Sequence, residues 1–302
     1  MELKSSIGES FLDLFSQEID IAIPDTQSKL NLHILKIENN KFCYPELINE
    51  LSNHFISFSL SRKEIADFKK NEKYGELYRK AAAKFRDYNI NEGEAGELLL
   101  FCFLESHLKA PKILTKLEIK LSTRDYAKGS DGIHLLKVSD RNYQLIFGES
   151  KLEQKLTSSI SNAFKSIQDF ITRSKSNIND EIGLLNSQLC KEAFDEDLYQ
   201  FLKSVIMPKV NDKNPITKNN AFAIFAGFEI NPTDAEKKLS NADFLKLIKQ
   251  QIKTEAEGKI DHIKKKLDEY SLHGYTFYVY VFPFMKLDET RKEIIKKITL
   301  AE

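Results

Sequence analysis

The sequence predicts a mixed α/β fold. Three observations carry that expectation: an apolar helix running through residues 96–108, three strand-like segments directly after it, and two later strands separated by long helical stretches. At 302 residues with 41% apolar side chains, the chain can bury one large core or two small ones.

The elements follow in order. Leu30–Ile37 alternates like a strand, Pro45–Leu51 reads as a short helix, and His54–Leu60 alternates again, which predicts a small α/β unit. A lysine-rich helical stretch over 62–85 ends where polar residues interrupt the pattern at Asn89–Asn91. A boundary near residue 75 divides the chain into an N-terminal α/β regulatory or partner-binding region, 1–75, and a second domain, 76–302. Asn91 can cap the next helix, whose first turn holds Glu92 and Glu94 and which Pro111 terminates. Strands are then expected at 113–121, 131–138 and 143–150, separated by TRDYAKGS and SDRN turn clusters, as an antiparallel meander. Helices follow at Leu156–Ser174 and Asp195–Ile206. The strands 221–228 and 275–282 flank a polar helical stretch, Asp234–Tyr270.

Composition narrows the function classes. Lys plus Arg equals Asp plus Glu, 45 each, so nucleic-acid binding must rest on local patches. Cys43, Cys102 and Cys190 lie far apart without metal-ligand spacing, which predicts free buried thiols. No Gly-x-Gly-x-x-Gly fingerprint or Walker loop occurs, so any nucleotide hydrolysis would come from a partner. The N-terminus lacks a leader pattern, and the apolar runs Leu98–Leu104 and Tyr275–Met285 fall short of the ~20 residues that cross a bilayer; a cytoplasmic location is expected.

The chemistry concentrates in GSDGIHLL followed by IFGESK. Side chains alternate along a strand, so Glu149 and Lys151 share a face, and a hairpin brings Asp131 alongside them. Two carboxylates with a backbone carbonyl and waters suit Mg²⁺ or Mn²⁺, and a neighbouring lysine can orient the attacking water, which points to phosphodiester hydrolysis. Such a pattern also arises by chance in a chain that is 30% charged, but charges at the rim of two buried strands, flanked by Gly132 and Gly148, call for a reason. Glu94 and Glu97 share a helix face and either or both can reach the site. Glu94 also suits the helix N-terminus electrostatically, which makes Glu97, among apolar residues, the preferred catalytic candidate. The expected metal ligands are Asp131 and Glu149, supported by Glu97 and Glu94.

These residues resemble a known family. Glu97, Asp131 and Glu149-Ser150-Lys151 look like the helix Glu, the Asp and the (D/E)xK of the PD-(D/E)xK nuclease superfamily, with Gly-Ser-Asp where many members have Pro-Asp. More narrowly, GEAGELLLFCFLE, KGSDGIHLL and FGESK resemble the HamA family, nuclease subunits of the Hachiman anti-phage defence system, over residues 50–285. The resemblance implies a restriction-endonuclease-like core, a mixed central sheet flanked by helices with a small N-terminal α/β extension. It also implies a Mg²⁺-dependent (or Mn²⁺-dependent) deoxyribonuclease that acts on DNA and is restrained by a HamB-like helicase subunit until infection or DNA damage releases it. The rival expectation is a catalytically silent nuclease-fold adaptor that binds a helicase or nucleic acid.

Of the remaining candidates, His134 is expected to be a satisfied core histidine, and Phe225, Tyr278, Tyr280 and Phe282 to be core rather than base-stacking groups. The basic string Lys109, Lys112, Lys116, Lys120, Arg124 and Lys128, continued by Lys151, Lys155, Lys165, Arg173 and Lys175, could touch phosphate or form a solvated face.

Overall fold

A computed structural model describes residues 3–85, 87–89, 93–119, 129–173, 178–208 and 216–300. A seven-stranded mixed sheet runs through it. In chain order its strands are β1 (Phe15–Ala22), β2 (Lys29–Leu35), β5 (Lys112–Thr115), β6 (Gly132–Ser139), β7 (Asn142–Glu153), β8 (Thr217–Glu229) and β9 (Thr276–Phe284); β3 (Ile37–Glu38) and β4 (Lys41–Phe42) form a separate small ladder. The spatial order is β1-β2-β9-β8-β7-β6-β5. The β2-β9-β8-β7 ladders are parallel, and both flanks, β1-β2 and β7-β6-β5, are antiparallel. The expected mixed α/β class and the antiparallel meander are therefore both present. The central parallel strands are apolar on both faces, as helix-covered strands must be: every residue of β9 and Ala221–Phe228 of β8 are buried.

The helices are α1 (Tyr44–Ser59), α2 (Arg62–Lys70), α3 (Tyr74–Ala82), α4 (Glu94–Ser106), α5 (Lys116–Ile119), α6 (Leu156–Thr172), α7 (Ile178–Glu192), α8 (Glu196–Ile206), α9 (Asn241–Glu257), α10 (Ile260–Glu269) and α11 (Leu287–Thr299). α4 is buried along its whole length between the sheet, α1 and α11, so it is apolar nearly all round rather than amphipathic. α6 covers the opposite face of β7 and β8 through Ile160, Ala163, Phe164 and Ile167. No helix of the described residues is long and apolar enough to cross a membrane.

Three local expectations are corrected. His54–Ser59 is helical, the end of α1, and Leu60 is its extended C-cap. Leu47, Ile48, Leu51, Phe55 and Phe58 form one buried helical stripe, and the alternation in HFISFSL is a fragment of that longer period. The strand expected over 113–121 stops at Thr115, whose Oγ1 accepts the Glu118 N–H at 3.2 Å and starts the α5 turn. Cys190 is exposed, while Cys43 and Cys102 are buried; it falls beside the α7 stripe of Glu181, Leu185, Leu189 and Glu192. Asn91, Glu92, Lys120, Arg124, Lys128 and Lys175 lie outside the described residues.

Near β5 the interior holds a network of charges. Arg62 pairs with Glu192 at 2.6 Å and with Glu105 at 3.5 Å, and Lys112, 2% exposed, pairs with Glu118 at 3.0 Å and donates to the Leu60 carbonyl at 2.7 Å. Burial pushes the Glu192 carboxyl up to about 7. The Glu118 charge adds to that, and Lys112 and Arg62 oppose it. In the unfolded chain this group ionises at its ordinary 4.5, so the folded chain holds the extra proton between those values and stability falls as pH rises through that window. Glu192→Gln keeps the shape without the titration. The stability of wild type relative to this variant should drop by at most about 3 kcal/mol between pH 4.5 and 8, read by urea unfolding. Parallel curves would show that Glu192 titrates alike in the folded and unfolded chain.

Candidate functional site

The β6-β7 ladder ends at the pair Gly132–Gly148, so Asp131, directly before it on one strand, and Glu149, directly after it on the other, come together at the same end of the hairpin. Asp131 closes the ladder with its own atoms. Its N–H donates to the Gly148 carbonyl at 2.9 Å, and its carboxylate Oδ2 accepts the Ser150 N–H at 2.7 Å. One residue further, Glu149 and Lys151 form a direct ion pair on the face covered by α6. Burial and the Asp131 charge together push the Glu149 carboxyl up to about 7, against the pull of Lys151. For Lys151, burial favours the neutral amine, but Glu149 and Asp131 outweigh it and the amine is held above its ordinary range.

Ser150 points the other way, toward α4. A Cβ on Gly96 would come within 2.3 Å of Ser150 Oγ and 3.1 Å of Leu152, so only glycine lets the helix approach the strand this closely. The approach sets Glu97 at the level of Asp131. Between the two carboxylates stands Lys116, the first residue of α5: its ammonium is 3.3 Å from Asp131 Oδ1 and 3.9 Å from Glu97 Oε1. Burial alone would favour its neutral form, yet Asp131, Glu97 and Glu149 together push its pKa up. Glu94, three residues before Glu97, is also buried in the first turn of α4.

The structure thus gathers Asp131, Glu149, Lys151 and Glu97 at the junction of two strands and a helix. It adds Lys116, which sequence reasoning placed only in a basic string. That string does not form a single surface. Lys112 is enclosed in the charge network of α2 and α7, Lys116 sits among carboxylates, and Lys109 pairs with Glu9 at the surface. Spacing could not have singled out Lys116, because the helical turn that aims it replaced an expected strand. His134 is a satisfied core residue: its Nδ1 lies 2.8 Å from the Ala110 carbonyl, and burial lowers its pKa to about 4, so it is neutral. Phe225, Tyr278, Tyr280 and Phe282 are all buried in the core.

A model of the HamA family matches residues 9–298, nearly the whole chain. The chain belongs to the HamA family. No curated protein matches it. Membership of the HamA family points to an anti-phage defence role. The match also takes in residues on both sides of the site, from the N-terminal strands through α11.

In this HamA family member the donors available to a divalent cation are carboxylates. Asp131 and Glu149 are hard oxygen donors, close enough that the charge of one raises the pKa of the other. Among the described residues, no group of three or more His, Cys, Asp or Glu side chains is placed to hold a metal ion. Two carboxylates with water in the remaining positions fit Mg²⁺, which keeps much of its hydration shell, and Lys116 already supplies positive charge at the same place.

Because Gly96 sets the spacing between Glu97 and the Glu149–Lys151 strand, Gly96→Ala should destabilise the chain by about 1–3 kcal/mol through overpacking against Ser150 and Leu152. Chemical unfolding checks this, and pairing the change with Ser150→Gly should recover part of the loss. An unchanged midpoint for Gly96→Ala would show that α4 shifts freely and does not set the site.

Proposed function

We propose that the chain is a metal-dependent DNA nuclease, the effector subunit of an anti-phage defence complex with a helicase partner. The observation that carries this reading is the convergence of Asp131, Glu149, Lys151 and Glu97 on one strand–helix junction, where the Asp131 charge acts on Glu149, Lys151 pairs with Glu149, and Lys116 stands between Asp131 and Glu97.

In this reading Asp131 and Glu149 hold Mg²⁺ or Mn²⁺, with Glu97 supporting them through Lys116 and Glu94 in reserve on the same helix turn. When bound, the cation lowers the pKa of a water molecule and offsets the charge that develops on a scissile phosphate. Lys151, held as the ammonium by Glu149 and Asp131, would orient that water, and the water's proton would leave to solvent. Asp131 is held in direction by the Ser150 N–H, so its second oxygen remains on the Lys116 side of the site. Lys116 then has two roles: it neutralises the carboxylates before the cation arrives, and afterwards it can face a phosphate oxygen. Residues 1–75 serve as the regulatory or partner-binding region, and the cytoplasm as the site of action.

One observation favours a second reading, a silent adaptor for a helicase or nucleic acid. Lys116 stands where charge compensation is needed, so the cluster is electrostatically complete as it is. Plasmid cleavage separates the two. Supercoiled and linear DNA are incubated with Mg²⁺ using wild type, Lys151→Ala and an EDTA control, alone and with the helicase partner and ATP. Metal-dependent nicking that falls by two orders of magnitude or more in Lys151→Ala, about 3 kcal/mol of transition-state stabilisation, is the expected outcome. Inactivity under every condition would leave the adaptor.

Mn²⁺ should also raise the melting temperature of wild type by mass action, and Asp131→Asn should abolish the shift. Lys116→Met should melt earlier than wild type without metal, since it leaves the carboxylates uncompensated, and should gain more from Mn²⁺. An equal gain in the two proteins would show that Lys116 does not compete with the cation.

A further inference from the structure

The turn that presents Asp131 is held from behind by a side chain on a distant helix. Glu181, in the first turn of α7, is 8% exposed. Its Oε1 accepts the Ser130 backbone N–H at 2.6 Å, and its Oε2 accepts the Ser130 hydroxyl at 2.7 Å. Both oxygens of one buried carboxylate are therefore spent on one residue, the residue directly before Asp131.

Gly129 makes this contact possible. Its φ of +136° is one that L side chains rarely adopt, and a Cβ there would come within 1.9 Å of Glu181 Oε1. On the far side of the turn, β7 holds Asp131 through Gly148 and Ser150. The turn is clamped at both ends, by a charged group before Asp131 and by the strand ladder after it. Charge-assisted hydrogen bonds of this kind are short and directional, and a buried carboxylate is a costly way to tie down an ordinary loop. A metal or water site needs its ligand oxygens fixed to within about half an ångström, and such a clamp provides that precision.

We infer that Glu181 is a positioning residue for the nuclease site: it fixes Gly129–Ser130 so that the Asp131 carboxylate is aimed at the place it shares with Glu149 and Lys151. The inference rests on the nuclease reading, and the role concerns the reacting centre rather than DNA binding. Loss of the clamp should therefore lower kcat and metal affinity while leaving KM for DNA unchanged. Glu181→Gln retains one acceptor oxygen for Ser130, so it should be impaired less than Glu181→Ala.

The test uses the full chain as wild type, Glu181→Gln, Glu181→Ala, Ser130→Ala, the Glu181→Ala/Ser130→Ala double variant and Asp131→Asn. Three quantities are read: Mn²⁺ affinity by electron paramagnetic resonance, steady-state plasmid cleavage, and amide hydrogen exchange over residues 129–132. Expected are faster exchange at Ser130 and Asp131, weaker Mn²⁺ binding, and a fall in kcat on the order of 10- to 100-fold for Glu181→Ala, with an intermediate Glu181→Gln. Ser130→Ala should add nothing further in the Glu181→Ala background. If Glu181→Ala does not fold, Glu181→Gln and Ser130→Ala carry the comparison. Faster exchange with unchanged Mn²⁺ affinity and kcat would overturn the assignment and leave Glu181 as a structural clasp only. Failure of the nuclease reading is distinguishable, because wild type itself would then neither bind Mn²⁺ nor cleave DNA, and the positioning role would fall with it.

Discussion

Three carboxylates, those of Glu97, Asp131 and Glu149, lie at a helix–sheet junction with little access to water, and the Lys116 ammonium, with Lys151 on Glu149, is the charge that lets them stay there. An isolated buried carboxylate either neutralises itself or destabilises the fold. Lys116 reaches two of these groups directly and feels the third, so its short helix, α5, is part of the electrostatics of the site as much as of the fold. That constraint runs outward through the chain. α5 follows β5 without a break, β5 carries the buried Lys112, and Lys112 is tied to Glu118 and to the Arg62–Glu192 pair. The region between α2 and α5 is thus one connected set of charged contacts, in which removing one partner strands another, and the backbone of α5 joins it to Lys116.

The motif residues were legible because they sit on regular strands. Alternation along the strand that ends at 151 placed Glu149 and Lys151 on one face, and the SDRN turn fixed the hairpin that brings Asp131 back beside Gly148 and Ser150. The late strands were legible for a related reason: parallel strands buried on both faces read as continuous aromatic and β-branched runs. α4 was legible from its apolar density, and Glu97 from its place inside that density.

What escaped the sequence is mostly charge in the interior. The buried stripe of α7 is Glu181, Leu185, Leu189 and Glu192, so half of it is acidic and the hydrophobic period that would announce a helix is broken. Glu181 and Glu192 each have a buried cationic or hydrogen-bonding partner far away in the chain, and only the folded topology brings those partners together. β1 escaped for the opposite reason. It is an edge strand whose outward positions carry Gln17, Glu18 and Asp20, charges and amides that protect an edge and dilute its apolar signal. In α1 the ambiguity lay in the period itself, since a short apolar alternation can belong to either element until its length is known.

The placement of α7 ties these points together. At its start Glu181 holds the turn that presents Asp131, and at its end Glu192 holds Arg62 and lies 4.0 Å from Lys112 on the strand that leads to Lys116. One helix therefore touches both the residue before Asp131 and the strand before Lys116, each through a buried acid. A rigid element that fixes two opposite charges relative to each other reduces the reorganisation either must undergo when a charged ligand arrives. The desolvation of Glu181 and Glu192 is a stability cost, and a well-packed leucine at either position would avoid it. That this helix carries acids there is consistent with a fold in which the spacing of charges matters more than the last increment of stability.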